Sequence, residues 1–135
     1  MSFTITQRPD FALVTVQLQS GQTYHSEPGA MATMSSNIEL KASLKGGLMG
    51  SISRGLGGES LIISSYTSKG GEGEITFAAG QPGDALHYAL DGSTDIYLQR
   101  GAYLANSDGV EITSKWQGMR GFFSGEGLIL LKAHG

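Results

Sequence analysis

Two pairs of blocks recur along this chain in the same order. At a fixed offset of 72 residues, EPGAMATMSSNIEL (Glu27 to Leu40) lies over QRGAYLANSDGVEI (Gln99 to Ile112), setting Gly29, Ala30, Ser35 and Glu39 on Gly101, Ala102, Ser107 and Glu111. At an offset of 67, GGESLII (Gly57 to Ile63) lies over SGEGLIL (Ser124 to Leu130), with Gly58, Glu59, Leu61 and Ile62 on Gly125, Glu126, Leu128 and Ile129. Between the blocks, LKGGLMGSISRGL answers the shorter WQGMRGFF. Self-similarity at long spacing marks a unit that buries its apolar face on a neighbour of its own kind. We read one supersecondary unit occurring twice: a Gly-Ala turn, a strand ending in Glu, an apolar glycine-rich loop, and a strand opened by Gly-Glu. Repeat 1 covers about residues 24–80 and repeat 2 about 97–135. After Ile62 the first copy continues through SSYTSKGGEGEITFAAG, whereas after Ile129 only LLKAHG remains, so the second copy reads as incomplete. Open strand edges invite pairing with another chain. The expectation is therefore an oligomer, or a chain cut short.

The repeats are built from short alternating runs. Phe11 to Gln19, FALVTVQLQ, places Val14, Val16 and Leu18 on one face and Thr15, Gln17 and Gln19 on the other, the period of a half-buried strand. Similar runs cover Ser60 to Ser68, Glu74 to Ala78, Leu86 to Leu90, Thr94 to Gln99, Val110 to Thr113 and Leu128 to Ala133. Each is bounded by Gly, Asp, Asn, Ser or Pro, which predicts an all-β sandwich or barrel. Leu44 to Leu56 carries a helical stripe of Leu48, Ile52 and Leu56, but glycine costs about 1 kcal/mol against alanine in a helix interior. Its several glycines predict an irregular apolar loop instead. With 135 residues, 21 of them glycine and three proline, the chain is expected to be a single β domain, 1–135.

Charge and composition exclude several chemistries. A net charge of −3 argues against a surface built to neutralise phosphates, so no nucleic acid is expected as a partner. The absence of cysteine removes disulfides, thiolate metal sites and cysteine nucleophiles. MSFTITQRPDF has the pattern of neither a secretory signal nor a mitochondrial presequence, and no run approaches the roughly 18 apolar residues of a membrane helix.

The glycine-rich centre is no phosphate loop, because GGLMGSISRGLGGES has no lysine after a terminal glycine and no βαβ pattern around it. No G-x-S-x-G elbow is present. His25, His87 and His134 show no H-x-H or H-E-x-x-H spacing. His25 and Glu27, two apart on a candidate strand, share one face and, with His87, form a weak metal-ligand set; the plainer reading is a surface histidine beside a turn. No cofactor is expected. Glu59 and Glu126 are equivalent in the two copies, as are Glu39 and Glu111. Paired carboxylates in a cleft do acid–base work, but a carboxylate beside glycines also accepts backbone N–H groups and holds a turn, which is the more economical reading. The loop residues Leu48, Met49, Ile52 and Leu56, with Trp116, Met119, Phe122 and Phe123 in the second copy, are large, apolar and flanked by cations. They suit a core beneath a loop, a contact with a partner subunit or protein, or a membrane surface.

The phrases YHSEPGAMATM, KGGLMGSISRGLGGESLIISSYTSKGGEGEITFA, GDALHYAL, IYLQRGAYLAN and FFSGEGLILLK resemble the altered inheritance of mitochondria protein 24 family, a conserved domain of unknown function. The resemblance runs from about Gln7 to His134, with EPGAM, GGES and SGEGL its most specific parts. It implies a β-sandwich like the tryptophan RNA-binding attenuation protein, related to double-stranded β-helices, built from successive repeats and assembled into trimers or similar rings. Typical members continue into a third copy with another S-G-E-G-L phrase. Eukaryotic members support mitochondrial inner-membrane organisation, and this chain looks like a bacterial-type, cytoplasmic member, at most peripheral to a membrane. The resemblance carries over no catalytic residue. The expectation is a non-enzymatic, homo-oligomeric β-sandwich scaffold or interaction protein. The alternatives are a cupin-like protein binding a small ligand or metal, and an RNA-binding protein.

Overall fold

The structure is a computed structural model that describes residues 2–44, 62–116 and 129–135. Those residues form eleven strands: β1 Ser2–Thr6, β2 Leu13–Leu18, β3 Thr23–Ser26, β4 Met31–Met34, β5 Ile38–Leu44, β6 Ile62–Ser68, β7 Gly73–Ala78, β8 Ile96–Gln99, β9 Ala105–Ser107, β10 Glu111–Trp116 and β11 Ile129–His134. One short 3-10 turn, Arg100–Ala102, follows β8. The protein is all-β, with three sheets ordered β1-β2-β7-β4, β5-β6-β3-β9 and β10-β11-β8. The chain gathers into two compact units, the first comprising Met1–Ser43, Ile63–Tyr88 and Leu104–Asp108, the second Leu44–Ile62, Ala89–Tyr103 and Gly109–Gly135.

The first unit is a sandwich because alternation gives each of its two sheets one apolar face. Val16 and Leu18 of β2 and Ile75 and Phe77 of β7 meet Tyr24 of β3, Ile38 of β5 and Tyr66 of β6 in one buried cluster. Phe77 stacks on Tyr24 with ring centroids 5.8 Å apart and takes the edge of Tyr66 at 5.5 Å. Large rings contribute most to such a core, about 1.5–3 kcal/mol for each side chain fully buried. The buried Ser26 hydroxyl donates to the Glu27 carbonyl at 2.8 Å, which satisfies that donor. On the outer face of the β1-β2-β7-β4 sheet, one rank of threonines crosses all four strands: Thr4 opposite Thr15, Thr15 opposite Thr76, Thr76 opposite Thr33.

The glycines after β6 make a tight turn into β7. Gly70 and Gly71 have φ of 71° and 151°, backbone that side chains rarely adopt. Asn37 holds this turn across the sandwich: its amide donates to the Glu72 carbonyl at 2.9 Å and the Lys69 carbonyl at 3.3 Å, while the Lys69 N–H donates back to the Asn37 carbonyl. Gly73 has a different role, since a Cβ there would lie 2.6 Å from Ile38 Cδ1 and 2.9 Å from Ser68 Oγ.

In the second unit, β11 is the central strand between β10 and β8, antiparallel to both. Ile112, Leu131 and Ala133 are buried. In the first unit β3 pairs with β6 so that Tyr24 faces Tyr66, His25 faces Ser65 and Ser26 faces Ser64. Moving 72 residues along from β3 and 67 along from β6 lands on Ile96 facing Ala133, Tyr97 facing Lys132 and Leu98 facing Leu131, which are the pairs between β8 and β11. The strand order β5-β6-β3 is likewise echoed by β10-β11-β8.

One expected strand is absent. Leu86 to Leu90 alternates as a strand would, yet it forms none, and Leu86 and Tyr88 are exposed. The segment is tied at its start by a bridge between Gly83 and Phe11 and by the Arg8–Asp84 ion pair, and it ends at Asp91, whose carboxylate accepts the Ser93 N–H in a turn. Alternation without a neighbouring ladder to join does not make a strand.

Candidate functional site

The polar face of the β5-β6-β3-β9 sheet follows from the core on its other side. With Tyr24 and Ser26 turned inward, Thr23 and His25 point outward from β3; with Ser64 and Tyr66 inward, Ser65 and Thr67 point outward from β6. Facing residues then join across the strands. Thr23 and Thr67 share a hydrogen bond between their hydroxyls at 2.8 Å. His25 lies between Ser65, at 2.8 Å from Nδ1, and Asp108, at 2.9 Å from Nε2. Its side chain is only 13% exposed, whereas that of Asp108 is 72% exposed.

Charge assigns the roles in this trio. A carboxylate only accepts, so Nε2–H donates to Asp108, and in the neutral ring Nδ1 is then the acceptor for the Ser65 hydroxyl. This is the tautomer a general base needs to deprotonate a serine. Acyl transfer also needs free N–H groups aimed at a developing oxyanion. Ser65 lies on a strand flanked by β5 and β3, whose ladders take up the backbone donors around it. The trio links β3, β6 and the residue after β9.

A second charged group belongs to the other unit. Asp95 receives Lys132 Nζ at 3.1 Å on one oxygen and His134 Nδ1 on the other. The His134 and Lys132 hydrogen bonds hold the Asp95 carboxyl below its ordinary range, and Asp95 in turn raises the Lys132 ammonium.

Among the described residues, His25, Glu27, His87, Glu39 and Glu111 are not brought into one site. Glu27 follows β3, where its N–H donates to the Leu104 carbonyl and its own carbonyl accepts the Ala30 N–H. His87 lies tilted against Phe3 with ring centroids 4.4 Å apart. Among the described residues no group of three or more His, Cys, Asp or Glu could hold a metal ion, and His25, Glu27 and His87 form none. Glu39 stands on β5 with its carboxylate on Lys41 at 3.3 Å and Lys69 at 3.6 Å, an ion-pair position on a strand, and Lys41 and then Lys69 lower its pKa. Glu111 opens β10 opposite His134. Trp116 ends β10 opposite Ile129. Glu59, Glu126, Leu48, Met49, Ile52, Leu56, Met119, Phe122 and Phe123 lie outside the described residues.

Sequence reasoning missed Ser65 and Asp108 as partners of His25. Their link depends on the β3–β6 register, which no spacing within either strand discloses. It also missed an apolar rim in the first unit. The segment from Gly83 to Tyr88 runs from beside Phe11 to beside Phe3, and it leaves Phe3, Phe11, Leu86 and Tyr88 exposed, Leu86 by 86%. No helix among the described residues is long and apolar enough to cross a membrane.

Comparison with known proteins places this geometry. A family model described as mitochondrial biogenesis AIM24 matches residues 3–135. An uncharacterized protein of Streptococcus pyogenes serotype M6 is 30% identical over 135 residues, covering 94% of this chain and 54% of its own length. The crystal structure of a Streptococcus pyogenes protein superposes with a TM-score of 0.77 at 29% identity, covering 99% of this chain and 60% of that one. The chain thus spans about half the length of the curated relative it matches.

Proposed function

The chain belongs to the mitochondrial biogenesis AIM24 family, and on that premise we propose that it is a non-enzymatic, homo-oligomeric β-sandwich that works as a cytoplasmic scaffold or interaction module. The observation that carries this reading is the apolar rim. Exposed large apolar side chains gathered together mark places where something docks, and Leu86 and Tyr88 are exposed on a segment that passes beside the exposed Phe11 and Phe3 in the first unit. The echoed strand order and register of β3–β6 and β8–β11 support a second element of the proposal, that the scaffold is one unit used twice. Successive copies of one unit are a common way to build an extended binding surface.

Multi-angle light scattering of the purified chain tests the proposal. The expected result is a mass of two or more chains across a tenfold dilution. A single-chain mass at every concentration would remove the oligomeric reading.

A further inference from the structure

We propose that Asp108 is a site of spontaneous covalent change: it closes with Gly109 into a succinimide that reopens as isoaspartate, helped by a proton from His25. The chain holds two Asp-Gly steps, Asp91–Gly92 and Asp108–Gly109, and no Asn-Gly step. The reaction needs the backbone nitrogen of the following residue to reach the aspartate carboxyl carbon. Glycine, with no Cβ, allows that close approach best. The surroundings of the two steps differ. At Asp91 the carboxylate is locked, because Oδ1 accepts both the Ser93 N–H at 2.9 Å and the Ser93 hydroxyl at 2.6 Å. Those bonds hold the Asp91 carboxyl below its ordinary range, and an ionised carboxylate is a poor electrophile. The space beside Gly92 is also narrowed by the Gly135 carbonyl, 3.4 Å from where a Cβ would stand.

Asp108 is placed to react. β9 ends at Ser107 and β10 begins at Glu111, so Asp108 and Gly109 form the turn between them. Gly109 has a φ of 94°, and nothing lies within 4 Å of where its Cβ would stand, which leaves room for the ring. The Asp108 side chain is 72% exposed, so water reaches it. Its Oδ1 accepts the Nε2–H of His25 at 2.9 Å. Imidazole is the side chain best suited to hand over a proton near neutral pH, and the Ser93 hydroxyl beside Asp91 has no such capacity.

In the first step the Gly109 nitrogen attacks Cγ of Asp108. The proton of that nitrogen and one passed from His25 Nε2, made good by solvent, convert Oδ1 into the water that leaves. Water then cleaves the bond between the same nitrogen and the main-chain carbonyl carbon of Asp108, and the new carboxyl group returns one proton to solvent. The main chain now runs through Cβ and Cγ, with the carboxylate attached to Cα. In that isomer the carboxylate is withdrawn from His25, and the tie between β3 and the end of β9 is released.

Tryptic peptides of the purified chain, aged at physiological temperature near neutral pH, separate the two steps, because Asp91 lies in residues 70–100 and Asp108 in residues 101–115. Isoaspartate in each peptide is read by labelling with an isoaspartyl methyltransferase and by a chromatographic shift at unchanged mass. The expected result is accumulation several-fold faster at Asp108 than at Asp91. His25→Gln is expected to slow the Asp108 reaction at least about tenfold and to leave Asp91 unchanged. The direction is informative, since a histidine that merely restrained the turn would, on removal, speed the reaction. His25→Asn replaces His25→Gln if circular dichroism shows the first variant unfolded, and the comparison within the parent chain stands with either. A rate at Asp108 no greater than that at Asp91 would overturn the site. An unchanged or faster Asp108 reaction in the folded variant would overturn the role of His25.

Discussion

The β3–β6 and β8–β11 pairings hold the same relative register and carry opposite contents. In the first, inward Tyr24 and Tyr66 pack on Phe77, and outward His25 and Ser65 share a hydrogen bond. In the second, the matching pairs are Ile96 with Ala133 and Tyr97 with Lys132. One rung further, the hydroxyl pair Thr23–Thr67 gives way to the Asp95–His134 hydrogen bond. At this rung a hydroxyl pair in one sheet answers a carboxylate held by Lys132 and His134 in the other. Register is thus insensitive to the chemistry of individual rungs, as expected where alternation and the burial of one face set it. What the rungs change is how each sheet responds to mutation and to pH.

The largest effect should come from turning a rung of one sheet into its counterpart in the other. Tyr66→Ala creates the residue found at the Ala133 position and removes a ring 2% exposed. The expected loss is about 3–5 kcal/mol by chemical denaturation, with the circular dichroism strand signal retained below the transition. Collapse of that signal in the absence of denaturant would show that the aromatic rung sets the pairing as well as stabilising it.

Gly73→Ala sharpens the contrast at a smaller scale. The added methyl would meet Ile38 and Ser68 inside the first unit's core, while Gly101→Ala in the second unit meets nothing within 4 Å. Overpacking at Gly73 should cost about 1–3 kcal/mol. The Gly101 variant should stay within about 0.5 kcal/mol of the parent, and thermal melts of both check the difference.

The smallest effect is in pH. Asp95 has its folded pKa lowered by His134 and Lys132, so the stability it contributes is full above its unfolded value near 3.8. It is lost as pH falls through the lowered folded value. Melting temperature should therefore drop on acidification below about pH 4, and Asp95→Asn should flatten part of that drop. The Thr23–Thr67 rung has nothing to titrate, so Thr67→Val should leave the acid limb of the profile unchanged.

How much of this was legible beforehand depends on whether a feature lies within one strand or between strands. β2, β6 and β7 were readable because Val16, Leu18, Tyr66, Ile75 and Phe77 alternate with polar residues inside single runs. β11 and β8 were readable for the same reason. β1, β4 and β9 are short and rich in Ser, Thr, Met and Asn, and they become strands only because β2, β7 and β3 offer them ladders. Leu86 to Leu90 is the converse case, with the right pattern and no ladder. The His25 trio was illegible for a related reason: its members are separated by 40 and 83 positions and meet only once two registers are set. The glycine-rich KGGEG was readable as a turn, but its anchoring by Asn37 was not, because the asparagine reaches it from the distant turn between β4 and β5.

The short strand β9 has a consequence for how the protein is made. It completes the sheet of the first unit from the far side of β8, and the His25–Asp108 contact spans 83 positions. A ribosome emitting this chain must release the residues up to Asp108 before that sheet can close. Until then the outer side of β3 lacks its neighbour, and the nascent chain carries an unfinished edge from the emergence of β3 until β9 follows. Pairings between distant segments form late and slowly, and exposed edges are where nascent chains mispair. The time of greatest vulnerability for this protein is thus the interval of its own translation between Ser26 and Asp108.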